Sequence, residues 1–121
     1  MSSKRRALGA RGEEAVAALL EGRGFVVLGQ NVRVGRLELD LIARRGDLLV
    51  VCEVRTRRSE AFGHPVETIG PEKVARVRRA TAQWIAERED LGRVQIRFDA
   101  AGVLIPHEGA EPQIDYYADA F

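Results

Sequence analysis

Cysteine occurs once in this 121-residue chain, as Cys52, which excludes an internal disulfide and a cysteine-based zinc site. Cys52 alternates inward with Val50 and Val54 and reads as a small core residue. Histidine is nearly as scarce: His64 and His107 lie in loop-like segments without the paired spacing of a zinc motif. No apolar run approaches the ~20 residues that span a bilayer. Lys4-Arg5-Arg6 is not followed by a signal-like apolar segment, so a cytoplasmic protein with no membrane partner is expected. Repeats, low-complexity tracts, a Walker-type phosphate loop and a Ser-His-Asp arrangement are also missing from the sequence. Lysine is rare, with only Lys4 and Lys73 among 19 basic residues. Residues 100–121 contain no basic residue and four acids, so a net charge of +1 divides into −4 there and +5 over the rest.

What is present is a pair of strands that carry acids. Leu37-Glu38-Leu39-Asp40-Leu41-Ile42-Ala43 alternates, and a period of two sends Glu38, Asp40 and Ile42 to one face. The run Leu48 to Arg55 puts Glu53 and Arg55 together. Arg45-Gly46-Asp47 is short enough, and rich enough in turn formers, to join the two as an antiparallel hairpin. Buried carboxylates are costly unless compensated. A divalent cation would compensate Asp40 and Glu53 together, since hard ions such as Mg²⁺ take one or two carboxylates and leave their other positions to water and phosphate. The bland alternative is ion pairing with Arg33, Arg55 or Arg57 and no chemistry.

A third acid lies upstream. Ala7 to Arg23 reads as a helix with an apolar stripe of Val16, Leu19 and Leu20, ended by Gly24 as a C-cap. Glu13 falls on the core side of that helix and Glu14 on the polar side. Glu13 is either a dipole-stabilising residue or a further ligand or water-orienting group. Basic clusters, Lys4-Arg5-Arg6, Arg55-Arg57-Arg58 and Arg76-Arg78-Arg79, suit phosphate neutralisation or simply a solvated surface. Lys73 either supplies an ammonium to the site or is a solvated helix-face charge.

The remaining segments read as scaffold. Phe25 to Leu28 is a first strand, and Ser59 to Gly70 a loop beside the site. Pro71 opens a helix to about Asp90 with Val74, Val77, Thr81, Trp84 and Ile85 on its apolar face, so that Trp84 is core. Val94 to Phe98 is a strand, with a further short one over Val103-Leu104-Ile105 after Ala101-Gly102. The tail through Tyr116-Tyr117 shows no clear pattern. Length fits one domain over 1–121, with an acidic C-terminal segment from about 106.

Together, Gly12-Glu13-Glu14-Ala15, Gly24-Phe25, Asn31-x-Arg33, Glu38 to Ala43, Val51 to Arg57, Phe62-Gly63-x-Pro65 and Lys73 resemble the YraN family. That family is placed in the PD-(D/E)xK nuclease superfamily, close to the archaeal Holliday junction resolvases. The resemblance implies an α/β fold with a restriction-endonuclease-like three-layer core, a mixed central sheet of four to five strands flanked by helices, in the order αβββαβ. It implies Asp40 and Glu53 as ligands of Mg²⁺ or Mn²⁺, Glu13 as the helix-borne acid, and Arg55 in the position of the motif lysine. Arg57, Arg58, Lys73 and Arg76 are the expected nucleic-acid contacts. Two positions depart from the family: Leu37 where glycine is usual, and Arg55, whose guanidinium is larger than an ammonium and never usefully deprotonated. The implied activity is metal-dependent cleavage of branched or structured DNA, in which a symmetric homodimer would suit two-strand cutting. The alternative is a catalytically impaired DNA-binding module on the same fold.

Overall fold

The computed structural model describes residues 3–59 and 69–121. The Phe62-Gly63-x-Pro65 motif, His64 and most of the loop expected over 59–70 lie outside the described residues. Helix α1 spans Ser3–Gly22, starting earlier than its apolar stripe requires. Its end is a Schellman motif. Gly24 sits at φ +89°, its N–H donates to the Glu21 carbonyl, and the Phe25 N–H donates back to the Leu20 carbonyl. Strands β1 (Val26–Val34), β2 (Leu37–Arg45) and β3 (Leu48–Arg57) follow. They form an antiparallel meander with turns at Gly35 and Gly46, each at φ +61°.

Helix α2 (Pro71–Ala86) has Pro71 in its first turn, where a missing N–H costs nothing. It stops short of the expected Asp90 and is followed by a single 3-10 turn over Glu89–Leu91. The helix is the crossover that allows β4 (Gln95–Leu104) to lie parallel to β3. Where two short strands are expected around Ala101-Gly102, one ten-residue strand runs straight through. Ala100, Ala101 and Gly102 are buried between β3 and β5, and their small size suits the middle of a covered sheet rather than a turn. The patternless tail supplies β5 (Gln113–Tyr117), antiparallel to β4. The sheet order is β1-β2-β3-β4-β5.

Each face of this mixed sheet is covered by one helix, which gives the expected three layers. On one side Val16, Ala17 and Leu20 of α1 pack on Leu41, Ala43, Val50, Cys52, Ala101 and Val103. On the other, Val77, Ala80 and Trp84 of α2 pack on Ile42, Leu49, Val51 and Phe98. Cys52 and Trp84 are core residues, as their patterns predict. Gly12 sets how closely α1 lies on the sheet. A Cβ added there would fall 1.7 Å from Thr56 Oγ1 on β3.

One departure from strict alternation positions the site. Leu39 packs with Ile42 on the α2 side, whereas Leu41 packs with Ala43 on the α1 side. A single unbroken pleat over Glu38, Asp40 and Ile42 therefore does not form. The reason lies in the pairing: β2 is in register with β3 only from Leu41–Cys52 to Arg45–Leu48, while Leu37 to Leu39 pair with β1 alone. The two strands fork at Asp40, and β3 continues along β4 to Arg57–Leu104.

Candidate active site

Asp40 and Glu53 occupy the fork, and their side chains take over the hydrogen bonds that the ladder no longer makes. The Val54 N–H donates to Asp40 Oδ2 at 2.8 Å, and the Asp40 N–H reaches Glu53 Oε2 at 3.4 Å. Both acids are thus anchored by backbone, which fixes them on rigid strands rather than on a loop. Glu53 is 4% exposed. Among the described residues its ion pair is with Lys73, on the first turn of α2, whose Nζ lies 3.4 Å from Oε1. Of the two readings of Lys73, the structure brings it to the acids. The cation on Glu53 is this lysine rather than Arg33 or Arg55.

The compensation is incomplete. Burial pushes the Glu53 carboxyl up to about 7, the Asp40 charge pushes the same way, and the Lys73 charge and the Asp40 N–H oppose them. Asp40 is also raised by burial, against the Val54 N–H and the charges of Lys73 and Arg55. Glu13, half-buried on α1, is raised by burial, with the Asn31 hydrogen bond opposing and the charges of Asp40 and Glu38 adding to the upward push. Three carboxyl groups on two layers thus share one electrostatic neighbourhood.

Asn31, which the resemblance marks in Asn31-x-Arg33 without a role, is given one by the structure. It stands at φ +51° within β1 and donates its amide to Glu13 Oε1 at 3.0 Å, tying α1 to the sheet beside the site. Asparagine is one of the few side chains that tolerate the left-handed region. An Asn inside the strand-forming run Val26–Val34 was the available signal.

Of the expected basic contacts, Arg55 is exposed and close enough for its charge to bear on Asp40. Arg58 donates to the Ile105 carbonyl at 3.2 Å. Arg57 is half-buried at the end of β3, and Arg76 is exposed on α2, one turn beyond Lys73.

Among the described residues no three His, Cys, Asp or Glu side chains converge into a metal-holding group. The buried Glu53 and the part-buried Asp40, whose charge raises the Glu53 carboxyl, do fit Mg²⁺ or Mn²⁺, which accept hard oxygen ligands and keep several positions for water and phosphate. Asp40 and Glu53 are the residues that would hold it.

Fold and site define a three-layer α/β protein with an acid pair at a strand fork beside a lysine. Residues 12–103 match the profile described as "Uncharacterised protein family UPF0102", and the chain belongs to that family, the YraN family of the resemblance. A UPF0102 protein of Streptomyces coelicolor is 46% identical over 107 residues, covering 88% of this chain and 82% of its own. One from Leifsonia xyli is 46% identical over 102 residues, covering 84% and 86%. One from Acidothermus cellulolyticus is 41% identical across 99% of this chain and 97% of its own. Among the described residues no helix is long and apolar enough to cross a membrane.

Proposed function

We propose that this protein is a metal-dependent endonuclease acting on branched or otherwise structured DNA. The observation that carries the reading is the acid pair, in which Asp40 and Glu53 are fixed by backbone at the strand fork and left under-compensated by one lysine. A structural ion-pair network has no need of a second, part-buried acid whose charge opposes the first. Bound Mg²⁺ or Mn²⁺ would supply Lewis-acid stabilisation of a phosphate and lower the pKa of a water.

The chain's own groups would do the rest. Asp40 and Glu53 give two oxygen donors on rigid strands. Lys73 brings an ammonium to the same acids from α2 and serves the electrostatic role of the motif lysine, with the exposed Arg55 adding charge toward phosphate. Glu13, held by Asn31, is placed to orient water at the edge of the acid pair. A homodimer would present two such sites.

Labelled four-way junction, flap, single-stranded and duplex DNA with Mg²⁺ or Mn²⁺ test this reading. Cutting by the wild type, lost in Glu53→Ala and reduced at least tenfold in Lys73→Ala, is the expected result. Silence from the wild type with activity appearing in Arg55→Lys would establish instead the impaired DNA-binding module, to which the exposed arginine in the lysine position points. Silence from every form, with no DNA bound, would sink both.

A further inference from the structure

A hollow of about 400 Å³ lies between the β1–β2 turn and the flank of α2. Val34, Leu37 and Ala80 give it an apolar wall. Arg36, Arg76 and Arg79 stand around it, all exposed, and none of them pairs with an acid among the described residues. Three like charges around one concavity repel each other, and an anion would relieve that repulsion. Both walls lead to the acid pair. Along β2, Leu37 is about 10 Å from Asp40; along α2, Arg76 is about 5 Å of rise beyond Lys73. The hollow therefore lies within about 10 Å, along either element, of residues at the acid pair.

We propose that the hollow receives one unpaired nucleotide of a DNA strand, its phosphate on Arg36, Arg76 and Arg79 and its base against Val34, Leu37 and Ala80. The choice of DNA rests on the nuclease reading of the neighbouring site. Contact with a regular duplex backbone needs only a charged surface. A concave apolar wall beside the charges suits a base taken out of its stack, and its π-face is sequence-tolerant. A stacked, paired base cannot enter. The hollow is thus a selector for DNA that carries an unpaired nucleotide beside the cut, whatever its sequence.

The test is fluorescence anisotropy with the full chain in EDTA, which separates binding from any cleavage. Three labelled duplexes of one sequence serve as probes: fully paired, with a single-nucleotide bulge, and with an abasic residue in the bulge. The bulged duplex should bind about tenfold more tightly than the paired one, and the abasic bulge should lose that gain. Gln83→Trp fills the hollow from an exposed position without removing charge; it should abolish the preference and leave paired-duplex affinity within about twofold. Arg36→Ala with Arg79→Ala should weaken all three complexes, with thermal melts confirming that each variant folds. Equal affinity for the three probes, or a preference that survives Gln83→Trp, would overturn the selector while leaving the nuclease reading intact. A base-dependent bulge preference in a protein that never cleaves would support the selector and count against the nuclease. No binding to any probe would overturn both.

Discussion

Two buried carboxylates on this sheet, Glu53 on β3 and Asp99 on β4, meet burial in opposite ways. Asp99 is fully buried and surrounded by donors. Arg97 grips it with two hydrogen bonds of 2.9 and 3.0 Å, the Tyr116 hydroxyl donates to it, and the Asp119 N–H caps it at 2.9 Å. Every partner comes from its own strand or from the C-terminal segment that it holds in place. Among the described residues Glu53 has one lysine and one long backbone contact, both at 3.4 Å, and faces a second acid. The sheet register sets Cys52 beside Asp99 and Ala100 beside Glu53, so the two carboxylates leave the sheet on opposite faces. Among the described residues the fold satisfies one buried acid fully and leaves the other short, and under the proposed function that shortfall is where a further partner would bind.

The contrast breaks most visibly under substitution. Asp99→Ala strands the Arg97 guanidinium and the Tyr116 hydroxyl and frees the turn at Asp119. It should destabilise the fold by about 2–4 kcal/mol in denaturant melts, with β5 losing amide protection first. Glu53→Gln should act with the opposite sign. The folded pKa of Glu53, about 7, lies above the usual value of 4.5, so between those values the native state holds a proton that the unfolded chain has released. Wild-type stability therefore falls as pH rises from about 4.5 to 7 and is flat above, a loss of about 3–4 kcal/mol at about 1.4 kcal/mol per unit. Glu53→Gln should lack that fall and be the more stable protein at pH 8. Adding Mg²⁺ at pH 8 should raise the melting temperature of the wild type only. A substitution at Glu53 that destabilised the protein at every pH would make it an ordinary structural acid and erase the comparison.

Gly12→Ala probes whether the site needs α1 at its present height. The added methyl meets Thr56 within 1.7 Å of Oγ1 and 2.9 Å of Cβ, and rotating the threonine removes only the first contact. A loss of about 1–3 kcal/mol is expected. Gly12→Ala combined with Thr56→Ser should recover little of it, because the Cβ contact remains; full recovery would mean that the helix was held off the sheet by the methyl of Thr56 alone.

Much of this was readable before any coordinates. Period-two alternation and the Gly46 turn place the two acids on neighbouring strands, and the punctuation at Gly24 and Pro71 ends one helix and opens the other, because each is a local signal. What local patterns could not carry was the second partner of each contact. Lys73 reads equally well as a surface charge until α2 crosses over and lays its first turn on Glu53. Asp99 attracts no notice because its donors lie at Arg97, Tyr116 and Asp119, with β5 hidden in a tail that lacks alternation. Ala101-Gly102 looks like a break because small residues mark turns in exposed segments, and here they mark a strand covered on both sides. The fork at Asp40 also escaped, since a strict period of two assumes that pairing continues on both edges.

The smallest effect tests whether Glu13 belongs with Glu53 or with Asp99. Asn31 combines a backbone at φ +51° with an amide on Glu13, and two substitutions separate these contributions. Asn31→Gly keeps the left-handed backbone and loses the hydrogen bond, so stability should change by less than about 0.5 kcal/mol. Asn31→Ala loses both and should cost about 1 kcal/mol more. The Asn31 bond holds the Glu13 pKa down against burial and the nearby Asp40 and Glu38 charges. Its loss in Asn31→Gly should therefore raise the Glu13 midpoint, followed by carboxyl carbon NMR, while in Asp40→Asn that midpoint should fall. A Glu13 midpoint indifferent to Asp40→Asn would detach the helix acid from the pair and reduce the site to two carboxylates and a lysine. A midpoint that moves in both variants makes Glu13 a third member of one under-compensated cluster, the opposite of the closed network around Asp99.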